Sequence, residues 1–192
     1  MAHSLGVTGT SGTPAAGTTT RTRTEIRWFL PPDQADALRA LLPAKRPERR
    51  VDTYLLAPHE PACSVKLRGP DDRPETKRLV RPPVAVTIAG TAEGWAQRWR
   101  KEITAAPEGG PPAVAVRKTR WRRRVLEVVE LEADGAVAWS VALVRAGGKL
   151  HQLVRRAEPL LEGWEGVAEL TLERSMAYGE WLARVHAGSP PR

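Results

Sequence analysis

The 192-residue chain has a single cysteine, one phenylalanine, two tyrosines, two methionines and four histidines. Cys63 alone excludes an internal disulfide, and no His/Asp pattern beside it supports a catalytic thiol. His3, His59, His151 and His186 lack the spacing of zinc ligands. No apolar run approaches the roughly 20 residues that a membrane helix needs. The N-terminus has no basic stretch followed by an apolar one, so no signal peptide is read and a cytoplasmic location is the default expectation. No glycine-rich phosphate loop is found, since Gly147-Gly148 lacks the required pattern. Internal repeats are absent too. Acid is the minority charge: 22 Asp and Glu face 30 Lys and Arg, for a net charge of +8. Such an excess points to an anionic partner or to solubility alone. A hydrophobic content of 41% and this length suit one globular domain with its own core.

What the chain does have is basic side chains at alternate positions. Successive side chains of an extended strand point to opposite faces. Read as one strand, 117–132 puts Lys118, Arg120, Arg122, Arg124, Glu130 and Glu132 on one face, with Thr119, Trp121, Val125, Val129 and Leu131 opposite. In 22–29, Arg23, Glu25 and Arg27 share a face opposite Ile26 and Trp28. In 64–68, Lys66 and Arg68 lie opposite Val65 and Leu67, and Glu75 and Lys77 share a face of 75–80. One such strand is ordinarily a solvated surface. Several in one fold, each with an apolar reverse face, suggest a wet interior that takes an anion. Glu25 reads either as a metal ligand or as a counter-ion to Arg23 and Arg27. Glu130 and Glu132 read either as part of the basic face or as the exposed end of the strand. The seven tryptophans fall at core-like positions rather than as a base-stacking platform.

Along the chain, residues 1–20 carry almost no apolar side chains and read as a disordered tail. A strand over 21–30 leads through Pro31-Pro32-Asp33 into a helix with Ala35, Leu38, Leu41 and Leu42 on one side. Strands are expected over 50–57, 64–68, 75–80 and 84–88, with turns at 58–61 and 69–72. Trp95, Trp99 and Ile103 recur at four-residue spacing, which predicts an amphipathic helix over 91–103. After a 108–112 loop comes the long basic strand, a hairpin at Asp134-Gly135 and a returning strand over 137–145. A helix over 149–161 carries Pro159 near its end. A short strand over 168–172 and a closing helix over 177–185 follow. The predicted fold is α+β: a closed antiparallel β-barrel of about eight strands, helices packed outside, one domain over 21–186 and a loose tail over 187–192.

These motifs resemble the CYTH superfamily, the triphosphate tunnel metalloenzymes, including its VTC-type polyphosphate-polymerase branch. Arg23-Thr24-Glu25-Ile26-Arg27 resembles the family's opening Glu-x-Glu-x-Lys, with Arg23 in place of the first acid. Asp52-Thr53, Val65-Lys66-Leu67-Arg68, Glu75-x-Lys77 and Lys118-x-Arg120 resemble its later strands, and 175–182 its closing segment, so the likeness spans about 22–183. The resemblance implies an eight-stranded tunnel in which Arg23, Arg27, Lys66, Arg68, Lys77, Lys118 and Arg120 grip a triphosphate, polyphosphate or nucleoside triphosphate. It implies Mg²⁺ or Mn²⁺ held by carboxylates, for which Glu25, Glu130 and Glu132 are the candidates. The family's late Glu-x-Glu strand corresponds to 137–145, which has no acid. Three readings stand at this point. One is a metal-dependent triphosphatase. The second is a phosphate- or polyphosphate-binding module without turnover. The third is a basic nucleic-acid-binding domain using Arg122, Arg123 and Arg124.

Overall fold

The computed structural model describes residues 20–40, 42, 46–56, 62–68, 73–103 and 112–188. The N-terminal tail through residue 19, the turns at 58–61 and 69–72 and most of the 108–112 loop lie outside the described residues. Among the described residues, nine strands and three helices run in the order β1 (Arg21–Leu30), α1 (Pro32–Ala40), β2 (Glu48–Leu55), β3 (Cys63–Arg68), β4 (Arg73–Leu79), β5 (Val84–Ile88), β6 (Ala92–Ile103), β7 (Ala113–Arg123), β8 (Leu126–Ala133), β9 (Ala136–Ala146), α2 (Leu150–Leu161) and α3 (Tyr178–His186). A short 3-10 helix, Glu165–Glu169, precedes α3. No described helix is long and apolar enough to cross a membrane.

Every strand pairing is antiparallel. The order is β1-β9-β8-β7-β2-β3-β4-β6, and β1 pairs β6 as well, so eight strands close into a ring. β5 pairs only the first half of β6, Ala92–Ala96, outside that ring. Closure removes the open edges that a curled sheet would otherwise expose.

Side-chain alternation sorts the residues between two cores. The outer face of β1 sends Ile26, Trp28 and Leu30 into a cluster with Ala35 and Leu38 of α1 and with Leu153, Ala157 and Leu161 of α2. This layer is tight. A Cβ on Gly94 would stand 2.5 Å from Trp28 and 2.6 Å from Ile26, and the Trp28 indole donates to the Glu93 carbonyl at 2.7 Å. The inner cluster joins Phe29, Tyr54, Val114, Val116, Val129 and Leu131 to Trp181 and Leu182 of α3. The ring interior therefore has an apolar half, closed by α3, and a polar half. The expectation of helices packed outside holds for α1 and α2, whereas α3 fills one end.

Three sequence expectations are corrected. Residues 91–103 form β6, not a helix. A spacing of four fits a period of two as well as one of 3.6, and pairing with β1, β4 and β5 selects the strand. Residues 168–172 are not a strand; the 3-10 helix ends there. The long basic strand is two strands. Arg123 pairs Leu126 around a two-residue turn, with Arg124 at φ 53°. Across that turn an even position of β7 faces an odd position of β8: Arg120 lies opposite Val129, and Arg122 opposite Glu127. Glu130 and Glu132 consequently leave the basic face. Glu132 sits outside, paired with the exposed Arg117.

Candidate anion-binding site

The polar half of the ring holds a cavity of about 390 Å³. Among the described residues, ten Lys and Arg side chains line it, from β1, β2, β3, β4, β6 and β7. The start of α3, Ala177 to Gly179, completes the wall. Of the basic residues singled out from the sequence, Arg23, Arg27, Lys66, Lys77, Lys118 and Arg120 all reach this cavity. Arg68 ends β3 on the same alternation as Lys66, and its side chain lies outside the described ones.

Five carboxylates hold these cations in place, and each has at least two partners. Glu25, buried on β1, accepts from Arg27 Nε at 2.9 Å and Lys77 Nζ at 3.2 Å, with Arg23 at 3.8 Å. Glu127, equally buried on β8, meets Arg23 at 3.0 Å, Arg120 at 3.6 Å and Arg122. Asp52 lies behind the floor, with Lys118 at 3.0 Å, Arg50 at 3.3 Å and Lys66 at 3.5 Å. Glu75 bridges Lys101 at 2.7 Å and Lys66 at 3.3 Å. Glu48, at the rim, bonds Arg50 at 2.8 Å and also Arg120. Among the described residues, ten lining cations meet three lining carboxylates, Glu25, Glu48 and Glu127, while Asp52 and Glu75 bond lining cations without lining the cavity themselves.

Two tyrosines organise the inner cations. Arg27 Nη1 donates to Ser140 Oγ at 2.8 Å and to Tyr178 Oη at 3.1 Å, with its guanidinium 4.0 Å from the Tyr178 ring centre. Lys118 Nζ donates to Tyr54 Oη at 2.6 Å. Lys77 Nζ stands 4.4 Å from the Trp99 ring centre. An ammonium or guanidinium over an aromatic face gains from the ring quadrupole.

Burial and charge compete over protonation here. Burial alone would raise the Glu25 carboxyl; Lys77, Arg27 and Arg23 together hold it well below the usual range. Burial would likewise raise Asp52, but Lys118, Lys66 and Arg50 keep it below its ordinary value. Burial pulls the Lys77 ammonium down to about 8, against the opposing pull of Glu25. Lys118 is also lowered well below the ordinary lysine value, first by burial and then by Lys66, with Asp52 opposing.

The resemblance calls for a divalent metal, and these residues do not fit one. A hard cation needs free carboxylate oxygens converging on a point. Among the described residues no three His, Cys, Asp or Glu side chains stand together as a metal-binding group. Glu130 and Glu132 do not join Glu25, because the turn sends them to the outer face. The inward positions of β9 are Ala138, Ser140, Ala142 and Val144, which pair with inward residues of β8 and β1 and carry no carboxylate.

Sequence reading missed Glu127, Arg50, Lys101 and Tyr178. Glu127 is hidden by the unrecognised turn, and Lys101 by the helix reading of 91–103. Arg50, Asp52 and Tyr54 alternate on β2, and that alternation was a usable signal. Tyr178 reaches the cavity only because α3 closes the ring, which no local pattern encodes.

No family model matches the chain, and no curated protein matches it. Among solved structures, the S. pombe Pct1 RNA triphosphatase aligns at 9% identity over 90% of this chain and 85% of that chain, with a TM-score of 0.43. The PH1819 protein from Pyrococcus horikoshii OT3 aligns at 13% identity over 85% of this chain and 99% of that chain, with a TM-score of 0.46.

Proposed function

We propose that the cavity binds a compact polyanion of the triphosphate class: inorganic tripolyphosphate, a polyphosphate end or the phosphates of a nucleoside triphosphate. The observation that carries this reading is the convergence of ten basic side chains on one cavity whose carboxylates are already paired. A solvated surface would spread such charges apart. Holding them together costs mutual repulsion, which a ligand with several anionic oxygens relieves. Arg forks meet phosphate oxygens in pairs, and lysines supply point charges between them.

Binding is better supported than hydrolysis. A general base for water must be free to take a proton near neutral pH. Glu25 is held well below the usual carboxylate range, and Glu127 is lowered as well, despite burial, by Arg23, Arg27, Arg122 and Arg120. The single folded domain over 21–186 and its triphosphate-type ligand belong to this same reading.

Isothermal titration of the whole chain with tripolyphosphate in chelator-treated buffer tests it. Saturable binding near 1:1, weakened at least ~tenfold in Lys66→Ala/Arg120→Ala, is the expected result. Phosphate release is expected to stay at the uncatalysed level. Absence of tripolyphosphate binding, together with salt-sensitive binding to any duplex that depends on Arg122, Arg123 and Arg124, would replace this reading with the nucleic-acid one.

A further inference from the structure

We infer that this pocket takes its polyanion in the metal-free form, so that Mg²⁺ opposes binding by capturing the ligand. The inference rests on the proposed phosphate-binding function and specifies the charge state of the ligand.

The positions a ligand-bound metal would need are filled by cations. Against Glu25, Arg27 Nε and Lys77 Nζ stand within 3.2 Å of the two carboxylate oxygens. Neither cation is loosely placed. Arg27 is 3% exposed and is also fixed by Ser140 and Tyr178. Lys77 lies over Trp99. At Glu127, three guanidinium groups converge on one oxygen, Oε1. A divalent ion entering either place would have to displace a side chain that already neutralises the acid. It would also approach a wall lined by ten basic side chains and three acidic ones among the described residues, at a repulsive cost for every nearby cation.

The same cations do for the ligand what a metal does elsewhere. They neutralise phosphate oxygens and cross-link neighbouring ones. A ligand arriving with Mg²⁺ has lost two negative charges and has oxygens already committed to the ion, so it offers fewer acceptors to the Lys and Arg side chains. The pocket therefore discriminates against the complexed ligand on charge and on hydrogen-bond count together. β9 supports the same conclusion. Its inward Ser140 accepts from Arg27, and its inward positions carry no carboxylate.

The test is titration of the full chain with tripolyphosphate at constant ionic strength, in EDTA and in excess MgCl₂ balanced against NaCl. Expected is an apparent Kd at least ~tenfold higher in excess Mg²⁺. Glu127→Gln, whose partners Arg23, Arg120 and Arg122 are partly solvent-accessible, should fold and keep the Mg²⁺ penalty, whatever its own affinity in EDTA. Glu25→Gln should behave alike; because Glu25 is fully enclosed, Glu127→Gln carries the test if that variant does not fold. Tighter binding in Mg²⁺, with the gain lost in Glu127→Gln, would overturn the inference. So would equal binding in both buffers, though phosphate binding itself would then stand. Absence of binding in either buffer would remove both.

Discussion

The pair formed by Asp52 and Lys118 gives the sharpest test of how the polar half of the ring is held. Both are buried: Asp52 is 0% and Lys118 3% exposed. With both groups charged, their separation of 3.0 Å corresponds to about 5.5 kcal/mol of attraction at an effective dielectric of 20, from which the burial that lowers Lys118 must be subtracted. Lys118→Met removes that attraction and the hydrogen bond to Tyr54 Oη. Asp52 still faces Arg50 at 3.3 Å and Lys66 at 3.5 Å, so its charge is not stranded. The expected loss is ~3 kcal/mol, at the low end for breaking a buried pair. Asp52→Asn is worse, ~4 kcal/mol, because it leaves Lys118, Lys66 and Arg50 facing one another without their shared anion. The double variant removes one charge of each sign. It should be ~2 kcal/mol more stable than the sum of the single losses predicts. Urea unfolding followed by tryptophan fluorescence reads all four proteins. A domain of ordinary stability, ~5–15 kcal/mol, survives either single change. Additivity within ~0.5 kcal/mol would refute the coupling and, with it, the account of Asp52 as the anchor of the floor.

Lys77 makes ligand binding depend on pH. Its ammonium titrates at about 8 in the folded chain, so affinity for tripolyphosphate should fall as pH rises through 8, with proton uptake on binding near that pH. Titration in buffers of different ionisation enthalpy measures the uptake, and Lys77→Gln should reduce it. Linkage fixes the sign for stability as well. The folded value lies below the unfolded value of ~10.4, so the unfolded chain binds more protons between about pH 8 and pH 10. This group's contribution therefore grows as pH rises through that window and is lost as pH falls through 8. Trp181→Ala empties a fully buried site stacked 5.5 Å from Phe29 and should cost ~3–5 kcal/mol in chemical unfolding. Gly94→Ala should cost ~1–3 kcal/mol, because the new Cβ meets Trp28 and Ile26; an unchanged melting temperature would contradict the packing described.

Alternation at period two was written plainly in β1, β3, β4 and β7. Each has an apolar reverse face that needs a core and a basic face that needs water or an anion. From those strands alone follow an antiparallel α+β fold and six side chains that reach the cavity. The sequence by itself determined this much because strand alternation is local: each residue's face depends only on its neighbours. The tertiary structure decided the rest. Whether Trp95, Trp99 and Ile103 belong to a helix or a strand depends on the partners β1, β4 and β5 bring to β6. A two-residue turn at Arg124 exchanged Glu130 and Glu132 for Glu127 as the acid facing the cavity. Ring closure then set Arg and Lys from distant strands beside every inward carboxylate, and α3 closed the other end with Trp181. Distances of about 3 Å between residues some 100 apart, such as Arg23 and Glu127, follow from register and closure. Those are properties of the assembled sheet, and no single strand carries them.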